Sequence, residues 1–390
     1  MVENKDKKVL NVPNLRFPEF EGEWEKERLG NECNIQMCKR IMAAQTNTEC
    51  GVPFYKIGTI GGKADAYISK ELFDEYKTKY PFPHRGEVMI TCAGTVGKCI
   101  IYNGEESYYQ DSNIVWIDNP KEIISNDFLF YLLSRINWSY LNSTTIVRIY
   151  NDDLRNLKLY YPKHDEQKKL THFLFLINER ISTQNKIIED LKKLKSAIIE
   201  IEYSSKTKTS SHIGDFVVQT SKRNKDNAIQ TVLSVSNRQG FIQQSEQFEN
   251  RCIASEDTSN YKIVKRNDFA FNPARINVGS IARLITFEKG IVSPMYICFR
   301  TKDYTTPEYL DYFFESKLFF TEIQKRLEGS VRQCLSYEGL CNIPLPLFSI
   351  EVQHKVGKQL FKLTQKIKLE TDFLEILHKQ KQYLLRQMFI

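Results

Sequence analysis

The chain has no run of 18 apolar residues, so no membrane-spanning helix is expected. Its opening, "MVENKDKKVLNVPNL", is charged and lacks the apolar core of a secretory signal, which makes a cytoplasmic location the expectation. No Cys-x-x-Cys pair occurs, and no histidine stands at zinc-like spacing from a cysteine cluster. The nine cysteines are odd in number and scattered, which argues for buried, reduced, structural thiols and against a metal site.

Enzyme motifs are missing as well. The segment "AGTVGK", ending Gly94 to Lys98, superficially resembles a phosphate loop. Only two residues separate its glycine from the Gly-Lys pair where four are needed, and Cys99 replaces the Ser or Thr that would hold magnesium. No Gly-x-Gly-x-x-Gly follows a strand. "NPAR", residues 272–275, lacks the second proline and the aromatic of an amino-methyltransferase tetrapeptide. The six histidines (His84, His164, His172, His212, His354 and His378) show no nucleophile or ligand spacing and read as surface or interface residues. The acidic run at 19–27 reads as a solvated face. No catalytic residue and no cofactor is therefore expected in this chain.

What is present is a duplication. The length of 390 residues favours two domains, because single cores seldom grow beyond about 250–300 residues. "LRNLKLYYPKHDEQ" at 154–167 returns as "LCNIPLPLFSIEVQ" at 340–353, an offset of 186. Carried on without a gap, 12 of 50 positions are identical between 154–203 and 340–389, which marks a repeated structural unit. Each copy has helical periodicity: Leu174, Ile177, Ile181, Ile188, Leu191 and Ile198 in the first, Leu360, Leu363, Ile367, Leu374, Leu377 and Leu384 in the second. Steps of three and four without internal proline predict coiled-coil helices. Polar breaks fall at matching places, Gln184 and Lys195 against Glu370 and Lys381, and such residues set register when helices pair. The alternative is two unrelated amphipathic helices on separate cores.

A strand-rich region precedes each helix. "RGEVMITCAGTVGK" at 85–98 parallels "RNDFAFNPARINVGS" at 266–280, and "FLFYLLSR" at 128–135 parallels "YLDYFFES" at 309–316, a short apolar helix in both. Runs such as "GEVMIT", "GKCIIY" and "SNIVWI" predict strands bounded by turns. The fold class is therefore α+β: two globules, each followed by a long helix, with the helices pairing. The boundaries are a tail at 1–12, a globule at 13–162, a helix at 163–203, a Ser/Thr/Lys linker at 204–212, a second globule at 213–349 and a second helix at 350–390.

The net charge of +7 is compatible with nucleic acid without requiring it. The loops add more. Lys39, Arg40, Lys56, Thr59, Gly94, Thr95, Gly97 and Lys98 in the first half, and Lys222, Arg223, Asn237, Arg238, Arg275, Asn277 and Gly279 in the second, mix phosphate anchors with base-edge readers. Their glycines would let the backbone approach a duplex closely.

With these residues on the page, the chain resembles the specificity subunit of type I restriction–modification systems. The resemblance is carried by "PNLRFPEFEGEWEKERLGN" at 13–31, "RGEVMITCAGTVGK", and "NIPLPLFSIEVQHKV" at 342–356, in the order domain, helix, domain, helix. Departures are Glu87 where aspartate is usual, the missing Gly-Thr element in the second half, and a first junction without flanking prolines. The resemblance implies that each globule is a target-recognition domain reading one half of a bipartite site in double-stranded DNA. It implies helices paired antiparallel that set the spacing, and no catalysis by the chain itself. The expected partners are two modification subunits, which use S-adenosylmethionine to methylate adenine, and restriction subunits driven by ATP and Mg. The alternatives are the specificity subunit of a system with a fused nuclease-methyltransferase partner, a coiled-coil protein-binding scaffold, and a self-sufficient nuclease.

Overall fold

The computed structural model describes residues 10–138, 148–203, 211–237, 239–244, 257–329, 333–346 and 348–390. Of the sequence expectations, tail residues 1–9, linker residues 204–210, Arg238 and Cys252 lie outside the described residues. The chain divides into two units: Met1–Thr183 with Leu374–Ile390, and Gln184–Phe373.

In the first unit a four-stranded antiparallel sheet runs in the order Asn34–Gln36, Ile114–Asp118, Val88–Thr91, Cys99–Ile101. The central Val88–Thr91 is buried throughout, as expected for an apolar β-branched run covered on both faces. A three-stranded sheet (Tyr67–Ile68, Val52–Tyr55, Tyr108–Tyr109) lies beside it. In the second unit one sheet runs Val217–Thr220, Ile297–Thr301, Phe269–Phe271, Ile281–Arg283; the other runs Gly240–Gln243, Val232–Ser236, Lys289–Val292, Lys262–Lys265.

The duplication is visible atom by atom. Gly86 enters the central strand of the first unit at φ +94°, and Asn267 enters its counterpart at φ +69°. Asparagine is among the few non-glycine residues that tolerate this region. The next residue is a buried carboxylate in both, Glu87 accepting from the His84 amide and Asp268 from the Lys265 amide. The Glu for Asp departure thus keeps the same bond. A fully buried glutamine does matching work: the Gln167 carbonyl accepts from the Ser125 amide while its NH2 donates to the Ile123 and Pro162 carbonyls. Gln353 bonds Thr306, Tyr304 and Phe348 in the same pattern. Each glutamine ties the start of a long helix to the cap of the short apolar helix, Asn126–Ser134 or Pro307–Phe313. The caps are Ser125 and Thr306, whose side chains accept from Phe128 and Tyr309 amides.

Two long helices are present, His164–Glu202 and Ile350–Gln387. Within the second unit, Gln184 bonds Glu370, whereas Ile199 and Tyr203 share a core with Val356 and Leu360, so the helices run antiparallel. Within the first unit, Leu170 and Leu174 share a core with Leu384, Met388 and Phe389. Of the expected seam, Leu174, Ile181, Ile188, Leu360, Leu377 and Leu384 are buried, and Ile177, Leu191, Ile198, Leu363, Ile367 and Leu374 are half-buried. Each helix segment thus completes a globular core. Phe389 stacks on Phe128 at 5.2 Å and meets Trp24 edge-on at 6.3 Å. The acidic run is solvated as expected except at Trp24, which is buried and donates to the buried Glu166, itself paired with Arg16.

Candidate nucleic-acid interface

In the first unit two loops meet beyond the central strand. Residues 56–60 form a turn in which Thr59 Oγ1 accepts from the Lys56 amide (3.0 Å). Residues 91–98 fold back so that the Gly97 amide donates to the Thr91 carbonyl (2.8 Å) and the Lys98 amide to Thr91 Oγ1 (3.0 Å), while that hydroxyl donates to the Thr95 carbonyl. Glycine is obligatory here on two counts. Gly94 and Gly97 have φ of +65° and +81°, and a Cβ on Gly97 would lie 2.0 Å from Trp138 Cδ1. Lys98 Nζ locks the loops together by donating to the Ile60 carbonyl at 2.5 Å. Gly94, Thr95 and Lys98 remain exposed.

Arg40 joins this group through Asp111 (2.7 Å), next to Gln110, whose side chain accepts from the Ile57 amide. Lys56 pairs with Asp65 at 3.1 Å. The fold therefore gathers Arg40, Lys56, Thr59, Gly94, Thr95, Gly97 and Lys98. It sends Lys39 elsewhere, with its ammonium over the Tyr80 ring at 5.3 Å.

In the second unit the equivalent loop, 272–280, closes by different chemistry. Arg275 and Gly279 amides donate to the Asn272 and Ile276 carbonyls, and Gly279 has φ +88°. A Cβ there would meet nothing closer than Asn237 Cβ at 3.7 Å, so the Gly-Thr element is absent but the left-handed glycine persists in open space. Asn237 and Arg275 border a cavity of about 690 Å³ whose polar lining includes Ser236, Gln244, Asn272 and Ser280. Gln244 Oε1 is buried in that lining without a hydrogen-bond partner among the described residues. The Arg275 guanidinium and the Asn277 side chain are exposed, and Arg275 has no carboxylate partner among the described residues.

Lys222 and Arg223 stand apart from that loop. They line a hollow of about 770 Å³ with Lys225, Lys265 and Lys289, and Arg223 bonds Asn260 at 2.8 Å. Lys265 and Lys289 were not selected from the sequence, because only strand pairing brings residues 24 positions apart side by side.

Five of the cysteines are inert as nucleophiles. Burial pushes the Cys33, Cys38, Cys92, Cys99 and Cys298 thiols up to about 12, so they stay protonated. Cys50 departs from the expectation of burial: it is exposed in a turn. Among the described residues no group of three His, Cys, Asp or Glu could hold a metal ion, and no helix is long and apolar enough to cross a membrane.

Comparison with known proteins gives one consistent answer. Residues 21–193 match the family model described as type I restriction modification DNA specificity domain. A putative type I restriction enzyme specificity subunit from Haemophilus influenzae is 46% identical over 146 residues, which cover 37% of this chain. The match spans 38% of that relative's length. The S subunit of a type I restriction–modification system from M. genitalium has the same fold, with a TM-score of 0.60 over 97% of this chain and 99% of that one at 15% identity. A chain from a structure on complex assembly and conformational transition of the type I R-M system gives 0.57 over 94% and 97% at 13% identity.

Proposed function

We propose that this chain, whose residues 21–193 belong to the type I restriction modification DNA specificity domain family, is the DNA-recognition subunit of a type I restriction–modification complex. Each unit reads one half of a split site in double-stranded DNA. The observation that carries this reading is the contrast within the duplication. The framework is kept bond for bond at Gln167 and Gln353, whereas the loops at 91–98 and 272–280 differ in sequence, closure and surroundings. Two readers on one frame need a constant frame and different edges, because base identity is read by side chains at groove edges. The reading residues are Arg40, Lys56, Thr59, Gly94, Thr95, Gly97 and Lys98 in the first unit, and Asn237, Arg238, Arg275, Asn277 and Gly279 in the second. Lys39, Lys222 and Arg223 hold the backbone.

The chain itself is non-catalytic and cytoplasmic. Methyl transfer from S-adenosylmethionine belongs to two modification subunits, and ATP- and Mg-dependent translocation and cleavage to restriction subunits. The long helices set the spacing of the half-sites and dock the modification subunits. Exposed apolar residues at seven-residue intervals support docking: Ile187, Leu194 and Ile201 on the first helix, Leu369, Ile376 and Tyr383 on the second. A free heptad stripe is what a further helix needs for coiled-coil packing.

The test is co-expression with the candidate methyltransferase and transfer of labelled methyl groups to host DNA. Transfer that needs both proteins supports the reading. Transfer by the methyltransferase alone, or plasmid cleavage by this chain alone with magnesium, overturns it.

A further inference from the structure

We infer that each unit carries a second, sequence-independent contact to the DNA phosphate backbone, placed at the opposite end of its central strand from the reading loop. This rests on the DNA-recognition reading above and adds a site to it. In the second unit the site is the hollow lined by Lys222, Arg223, Lys225, Lys265 and Lys289, with Asp226 as its one acid.

Two of these lysines oppose each other directly. Lys265 and Lys289 are cross-strand partners in the antiparallel pair Lys262–Lys265 and Lys289–Val292. Like charges in that relation destabilise a sheet unless an anion lies between them. The nearby acids are already committed, Glu288 to Arg266 and Asp268 to Arg300. The five cations around this one concave surface are exposed, and none has a carboxylate partner among the described residues.

The position recurs. Lys265 ends the turn that leads to Asp268, and its counterpart His84 ends the turn that leads to Glu87. There the first unit has its own hollow of about 500 Å³, lined by Lys77, Tyr80, Phe82, His84 and Arg85. Lys77 sits over the Phe73 and Phe82 rings at 5.4 and 5.3 Å, without a carboxylate partner among the described residues. The residues differ between units, yet the same place in the frame is cationic and concave in both. A chance scatter of surface lysines has no reason to respect the duplication.

The metric fits one duplex. The central strands, four residues in the first unit and three in the second, are about 10–13 Å long, and the major groove is about 12 Å wide. A duplex whose base edges meet the loop at one end of the strand brings its flanking phosphates to the turn at the other. Lysines and arginines suit that role because phosphate contacts are electrostatic and indifferent to sequence.

The experiment uses the full-length chain and a 40-base-pair duplex of mixed sequence, with binding followed by fluorescence anisotropy from low to high KCl. For Lys265→Gln/Lys289→Gln, we expect weaker binding and a slope of log affinity against log salt shallower by about 2, one phosphate contact per lysine. Thermal melting should match the wild type; if the double variant fails to fold, Lys225→Gln alone should flatten the slope by about 1. An unchanged slope in a folded variant overturns the backbone site while leaving DNA recognition standing. So does an unchanged slope accompanied by lost binding of the methyltransferase subunit, which would assign the hollow to a protein surface. A wild-type chain that binds no duplex would overturn the recognition reading and this site together.

Discussion

Gln184 and Glu370 stand 186 residues apart, the period of the duplication, and they hydrogen-bond to each other: Gln184 Nε2 donates to Glu370 Oε2 at 2.5 Å and to the Glu370 carbonyl at 3.0 Å. The two long helices therefore meet, inside the second unit, at equivalent positions of the repeat. The pair is unlike, an amide against a carboxylate, and a carboxylate there accepts what the amide donates. The neighbouring Lys366 and Gln184 hold the Glu370 carboxyl below its ordinary range.

Gln184→Glu would set two carboxylates against each other. The variant should melt below the wild type at pH 7.5 and recover most of the loss near pH 4.5. Repulsion raises the folded-state pKa of one carboxyl, so the penalty is present above that pKa and lifted as pH falls through it. Thermal melts at the two pH values check this; equal destabilisation at both would show that the pair does not set register.

Lys381 occupies the seam position equivalent to Lys195, with no carboxylate partner among the described residues. Lys195 pairs with Glu315 at 2.7 Å and lies over Tyr312. Burial pushes Lys381 down from the ordinary lysine value, the sign of a charge held without compensation. Lys381→Met should raise the melting temperature by a few degrees, corresponding to about 1 kcal/mol. Lys195→Met should lower it. Calorimetry on both variants decides.

The two buried glutamines should be equivalent in cost. Gln167→Leu and Gln353→Leu each leave backbone groups unpaired at a helix cap, for a loss of about 2–4 kcal/mol. Hydrogen exchange should show new lability at the Ser125 amide in the first variant and at the Thr306 amide in the second, each without effect on the other.

Glycine replacement separates the loops at 91–98 and 272–280. Gly97→Ala must displace Trp138, and it adds left-handed strain, so it should destabilise the first unit by about 3 kcal/mol or more. Gly279→Ala meets open space and carries the strain alone, about 1 kcal/mol. Arg275→Ala should leave stability unchanged and weaken DNA binding about tenfold, the loss of one good base or phosphate contact. A mobility-shift titration with unchanged affinity would remove Arg275 from the interface.

Periodicity and repetition made the helices, their mutual pairing and the α+β class legible, since a seam of Leu and Ile and its matched polar breaks are one-dimensional signals. Gln167 and Gln353 were visible as a recurring letter, but not as clamps, because their partners around the short-helix cap lie 42 to 49 residues away. The core role of Leu384, Met388 and Phe389 was hidden for the same reason: Trp24 and Phe128 are their neighbours only after the chain has closed on itself. In the candidate interface, the positive-φ glycines of the loops were readable from turn chemistry, and Arg275 as an exposed loop cation. Lys265 and Lys289 were not, since their convergence is a product of strand register.

The central claim is that two dissimilar units on one duplicated frame direct methylation to a split DNA site. Mapping methylated adenines by long-read sequencing, in cells with and without this gene, tests it most directly. The account expects a motif of two short specified parts separated by an unspecified spacer, present only when the gene is present, with Arg275→Ala relaxing one part alone. A continuous motif, or a methylation pattern indifferent to the gene, would contradict it.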